Sequence, residues 1–223
     1  MSQSAEAFAE WIAPARSALL IVDMQVDFAL ADGALGRAGV DLSAVPEALR
    51  QAGRLARAAR SAGATVVFVG LRTTPETDSP AWAERSRRLG EVESEGLCRC
   101  GEAGAAFVGP TPADGDFVIV KTRYSAFHNT DLESRLRAAG VDTLVICGLT
   151  TECCVDAAAR DAFQRDFHVF VAGDACAAYQ PDIHQAALRS LELNCAILAA
   201  SDAIVTAWER SPHAGQKAAL ARS

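Results

Sequence analysis

Three residues in this chain have the types and the spacing for nucleophilic chemistry at a carbonyl: Asp23, Lys121 and Cys154. Each follows a short apolar run. ALLIV at 18–22 precedes the aspartate, the run at 117–120 precedes the lysine, and the run at 143–147 with the turn Gly148-Leu149-Thr150-Thr151 precedes the cysteine. A free thiol, with a pKa of about 8.5, is mostly protonated at neutral pH and becomes a nucleophile when a helix N-terminus and a nearby cation favour the thiolate. Cys154 opens a segment of helical period, Lys121 supplies a cation, and Asp23 is suited to take the thiol proton and return it to a leaving amine. The backbone N–H groups of Thr150 and Cys154 are the candidate oxyanion hole, the donors for the charge that such an attack creates. Taken singly, each residue has a plainer reading: a cysteine packs in the core, a strand-end aspartate caps a turn, and a lysine is a surface charge.

The elements that must position these groups alternate along the chain. The apolar runs at 18–22, Thr65–Leu71, Phe117–Val120, Thr143–Cys147 and His168–Val171 read as buried parallel strands, and Ala196–Ala199 adds a sixth. Helical period covers Val45–Ser61, Leu132–Ala139, Cys154–Arg165 and Ile183–Leu193, with a terminal helical turn at Ala203–Trp208. The pattern predicts an α/β fold of three layers, α-β-α, doubly wound on a six-stranded, mostly parallel sheet. A single domain spans residues 1–223, with the arm 1–14 and the tail 210–223 at its periphery. The Pro-, Gly- and charge-rich insertion 73–112, with a short helix near Trp82–Arg88, is expected to cover the site. In open parallel sheets ligands bind beyond the carboxyl ends of the strands, where all three candidates lie.

Composition narrows the partners. The net charge of −7 is interspersed, and no Lys/Arg stripe offers the footprint that nucleic acid requires. No apolar run approaches the roughly 18 residues of a membrane span, and the N-terminus lacks a basic start followed by an apolar core. Seven cysteines, an odd number, imply reduced thiols and hence a cytoplasmic location. Cys98 and Cys100 lack a second ligand pair, and the four histidines are scattered, so no metal and no other cofactor is expected.

Residues 18–28, ALLIVDMQVDF, resemble the opening strand of the isochorismatase-like hydrolases, an apolar run followed by D-x-Q-x-D-F. KTRYSAFHNTDL at 121–132 is similar to the family's lysine segment, and GLTTECCVDAAARDA at 148–162 to its nucleophile segment, with Thr151, Cys154 and Val155 in register and Cys153 at a variable position. The resemblance runs in order over roughly residues 15–207. It implies the catalytic triad Asp23, Lys121 and Cys154, a covalent acyl-enzyme resolved by water, a cis peptide between Leu149 and Thr150, and a homodimer or homotetramer. The region LRTTPETDSPAW lacks the histidines of metal-bearing nicotinamidase-like members. The RYSAF stretch is similar to members acting on N-carbamoyl compounds and ureides, so the expected reaction is C–N hydrolysis of a small amide or ureide with release of ammonia. A maleamate-like carboxamide amidase, and a noncatalytic redox sensor using Cys153 and Cys154, are the alternatives. Phe28 and Tyr124 are expected as walls of the substrate pocket, and Gln25, Arg72 and Thr151 as polar contacts to substrate.

Overall fold

The computed structural model describes residues 5–90 and 96–211. Its strands are β1 (Ser17–Val22), β2 (Thr65–Leu71), β3 (Phe117–Lys121), β4 (Thr143–Leu149), β5 (His168–Ala177) and β6 (Ile197–Ala199). All neighbouring pairs are parallel, in the order β3-β2-β1-β4-β5-β6. The chain thus winds outward in one direction from β1 and in the other from β4, which makes the β1/β4 boundary the topological switch point where a crevice opens. Central strands buried on both faces have no solvent side to alternate with, and β1 and β4 are accordingly apolar almost throughout and fully buried.

The helices are α1 (Ala5–Trp11), α2 (Val26–Ala29), α3 (Ala34–Arg37), α4 (Val45–Ala62), α5 (Pro80–Leu89), α6 (Leu132–Ala138), α7 (Asp156–Phe163), α8 (Pro181–Asn194) and α9 (Ser201–Glu209). Val45, Ala48, Ala52, Leu55, Ala59 and Ala62 form the buried stripe of α4 at three- and four-residue spacing, and their small side chains bring this helix close onto the sheet. Gly63, at φ 78°, supplies the left-handed residue that ends it. Helices α4 and α9 pack together on one side of the sheet, while α7 and α8 pack against each other beside β5 and β6.

Several expected bounds shift for identifiable reasons. β5 runs on to Ala177, past the expected end at Val171: Gly173 and Asp174 break the apolar pattern at a bulge, after which Cys176 and Ala177 pair again with Gly148 and Leu149 of β4. The Asp174 carboxylate accepts the Ser201 N–H and hydroxyl and so anchors the start of α9. The helix expected from Cys154 begins instead with a wider π-helical turn, Thr151–Val155, before α7. The N-terminal arm, expected at the periphery, contributes α1 and buries Ile12, whose carbonyl accepts the indole N–H of the buried Trp208 at 2.9 Å. Of the tail 210–223, residues 212–223 lie outside the described residues, as do 91–95 of the insertion.

Gly148 pairs with Val22 where β1 and β4 approach the site. Its φ is +135°, and a Cβ there would lie 2.0 Å from the Val22 carbonyl oxygen. Gly148→Ala is therefore expected to lose about 3 kcal/mol or more of stability. Gly173→Ala, whose new methyl meets only the flexible end of Leu188 at 3.1 Å, should cost far less in the same urea titration.

Candidate active site

Asp23 is the first residue beyond β1, and the chain turns there through a left-handed conformation, φ 50°, that aspartate tolerates better than most residues. Its N–H still donates to the Val69 carbonyl of β2 at 2.8 Å, and Oδ1 accepts the Leu71 N–H at 3.0 Å. Both contacts aim the carboxylate across the strand ends. Oδ2 lies 2.7 Å from Lys121 Nζ, with the two side chains 1% and 0% exposed. That ion pair is close but off the angle of a regular hydrogen bond, so Oδ2 retains capacity to accept a proton.

Lys121 ends β3, and its three ammonium protons face three acceptors: Asp23 Oδ2, Cys154 Sγ at 3.4 Å and the Arg123 carbonyl at 3.0 Å. Burial alone would lower its pKa. The Asp23 carboxylate and the Cys154 sulfur outweigh that effect and hold the ammonium above its usual range. The lysine is thus a fixed cation, and the three sequence candidates meet at a single nitrogen.

Cys154 lies in the π-helical turn after β4 and is 7% exposed. The peptide between Leu149 and Thr150 is cis. The Cys153 and Val155 N–H groups both donate to the Thr150 carbonyl at 3.1 Å, whereas the Cys154 N–H between them does not. The adjacent Cys153 thiol, burial and the Asp23 carboxylate raise the Cys154 thiol well above the usual cysteine value, against the opposing pull of Lys121. The resting group is therefore a neutral thiol beside the carboxylate suited to take its proton.

The expected substrate contacts fare unevenly. Gln25 is fully buried; its Oε1 accepts the Leu71 N–H at 2.8 Å, and its Nε2 donates to the carbonyls of Leu71 and Ala105, both at 2.9 Å. Its amide is spent on joining β2 to the insertion, which corrects its assignment as a substrate contact. Thr151 is likewise buried, and its hydroxyl meets His184 Nδ1 at 2.8 Å. Phe28 is half-buried beside Tyr179, whose hydroxyl donates to the Phe28 carbonyl at 2.9 Å. Tyr124 is 54% exposed, and Arg72 is half-buried with its N–H on the Lys121 carbonyl at 3.0 Å.

Sequence reasoning missed three groups here. His184 reads as a surface helix residue, yet it is half-buried, with desolvation lowering its pKa, and nothing in the sequence links it to Thr151. Tyr179 lies beyond the true end of β5 and would have been reached by the strand-end rule had β5 been extended to Ala177. Asp27 accepts the N–H groups of Cys98 (2.7 Å) and Ala34 (3.0 Å), fastening the insertion to the β1 side of the site. Among the described residues no three His, Cys, Asp or Glu side chains converge as a metal site.

A thiol, an ammonium and a carboxylate meeting beyond the carboxyl ends of a doubly wound parallel sheet form the arrangement of a cysteine hydrolase. The chain belongs to the isochorismatase family, whose Isochorismatase domain model matches residues 17–203. It is similar to "Ureidoacrylate amidohydrolase RutB" of Methylobacterium radiotolerans, 36% identical over 191 residues that cover 80% of this chain and 74% of that protein. Among solved structures it is similar to an isochorismatase family protein of Desulfovibrio vulgaris (34% identity, TM-score 0.72, 87% of this chain and 99% of the other). It is also similar to the N-carbamoylsarcosine amidase of Thermoplasma acidophilum (29% identity, TM-score 0.66, 84% and 97%).

The raised thiol makes a prediction with a definite sign. Removing the negative charge in Asp23→Asn lowers the Cys154 pKa, because an adjacent anion disfavours the thiolate and Lys121 is then left to act on the sulfur alone. The pH profile of Cys154 alkylation should move to lower pH in Asp23→Asn while turnover falls by at least about a hundredfold. An unchanged or alkaline-shifted profile contradicts this electrostatic account.

Proposed function

We propose that this chain is a cysteine-dependent amidohydrolase that cleaves a C–N bond of a small ureide or N-carbamoyl compound and releases ammonia. The observation that carries the reading is the placement of Lys121 Nζ against both Asp23 Oδ2 and Cys154 Sγ in a buried setting. The names of the relatives, a ureidoacrylate amidohydrolase and an N-carbamoylsarcosine amidase, support the substrate class.

Cys154 Sγ attacks the substrate carbonyl as Asp23 Oδ2 takes the thiol proton, which avoids the cost of holding a free thiolate at rest. Lys121 stays protonated throughout and compensates the negative charge as it passes between carboxylate and sulfur. The oxyanion is received by the backbone N–H groups of Thr150 and Cys154. Collapse of the tetrahedral species breaks the C–N bond, and Asp23 returns its proton to the departing nitrogen as ammonia. Water, deprotonated by Asp23, then attacks the acyl-enzyme, and the proton goes back to the Cys154 sulfur. From a terminal ureide the product is a carbamate, which decomposes to carbon dioxide and an amine.

In this reading Phe28 and Tyr124 wall the substrate pocket, and the insertion 73–112 closes one side of it. The contacts of Asp27 with Cys98 and of Gln25 with Ala105 support that placement. The enzyme works in the cytoplasm as a homodimer or homotetramer. Free cysteines are consistent with a reducing compartment, and among the described residues no helix is long and apolar enough to cross a membrane.

Ammonia release from a panel of N-carbamoyl compounds, biuret-like ureides and small carboxamides tests the reading. Release is expected with the wild type, within background in Cys154→Ala, and largely retained in Cys153→Ala. Activity that survives Cys154→Ala and disappears in Cys153→Ala would move the nucleophile to the neighbouring thiol. A preference for carboxamides over ureides would favour the maleamate-like alternative.

A further inference from the structure

A guanidinium withdrawn from water ordinarily keeps a partner, because an unpaired buried charge is costly. Arg16, Arg60, Arg99 and Arg165 are half-buried and hold the carboxylates of Asp142, Asp116, Asp78 and Glu133, while Arg123 holds the carbonyls of Thr77 and Thr122. Arg72 is also half-buried, and among the described residues its side chain has no carboxylate or carbonyl.

Its location gives that exception meaning. The Leu71 N–H just before it donates to Asp23 Oδ1, and its own N–H donates to the Lys121 carbonyl, so the Arg72 backbone is pinned between two members of the site. Its charge is close enough to act on the buried Cys98 thiol, which also feels Asp23, Asp27 and Lys121. Several neighbouring charges already have partners. Asp23 pairs with Lys121, Asp27 faces two backbone N–H groups, and Asp78 is held by Arg99. Among the described half-buried arginines, Arg72 is thus the cation at the strand ends whose side chain has no polar partner.

We propose that Arg72 is an anion anchor and a specificity-determining residue, selecting ureides that carry a carboxylate remote from the scissile bond. This rests on the amidohydrolase reading above and narrows its substrate class. A guanidinium presents a planar fork to a carboxylate, which an ammonium does not, so lysine is only a partial substitute.

The test uses binding, so it does not require turnover. The probes are 3-ureidopropanoate and its neutral counterpart 3-ureidopropanamide, each titrated for protection of Cys154 against iodoacetamide. Modification is followed on the Cys154 peptide by mass spectrometry because the chain has other free cysteines. In the wild type the carboxylate should protect at a concentration at least about tenfold lower than the amide, the range of one charge-assisted hydrogen-bonded pair. The two concentrations should converge in Arg72→Gln, and part of the preference should return in Arg72→Lys. Equal protection by both probes in the wild type, or a preference that persists in Arg72→Gln, overturns the proposal. Ammonia is assayed in the same wild-type samples, and its absence with both probes would count against the amidohydrolase reading alone, since the protection ratio still judges Arg72.

Discussion

The site depends on one buried ion pair. Moving a lysine ammonium and an aspartate carboxylate out of water costs several kcal/mol per ion, and the cost is recovered only if the two are held together with their remaining valences occupied. Lys121 meets this condition through the Arg123 carbonyl and the Cys154 sulfur, and Asp23 through the Leu71 N–H on Oδ1, with Oδ2 left open to accept a proton. Loss of either partner would strand the other, a penalty of about 3–5 kcal/mol where it has been measured in comparable pairs. Stability and chemistry therefore draw on the same contacts.

The rest of the fold is arranged so that these contacts can form. Reversal of strand order between β1 and β4 opens the crevice, the positive φ of Asp23 turns its carboxylate toward Leu71, and the register of Leu71 with Lys121 sets the lysine opposite it. Around that centre, polar side chains that would be expensive to bury unpaired are committed to backbone groups: Gln25 to Leu71 and Ala105, Asp27 to Cys98 and Ala34. The second half of the D-x-Q-x-D-F segment is thus a clasp between the first strand and the insertion.

Much of this was legible in the sequence because the responsible signals are local. Continuous apolar runs mark the buried strands, and the β2 run coincides with the observed strand from Thr65 to Leu71. The strand-end positions of Asp23, Lys121 and Cys154 follow from the same runs. What stayed hidden depends on tertiary contact. Gln25 has the type and position of a substrate ligand, and only its partners across the sheet reveal otherwise. His184 bonds a residue 33 positions away, a distance no helical period encodes. The balance that keeps the Cys154 thiol protonated, burial, the Cys153 contact and the Asp23 charge against Lys121, is likewise set by tertiary neighbours.

The most direct test of the account is the identity of the covalent intermediate. Enzyme mixed with a processed ureide, quenched in acid within the first turnovers and digested, should yield an acyl adduct on the peptide containing Cys153 and Cys154. Fragmentation should place the added mass on Cys154, and the adduct should be absent in Cys154→Ala. An adduct placed on Cys153, or ammonia release by Cys154→Ala at the wild-type rate, would contradict the assignment of Cys154 as nucleophile.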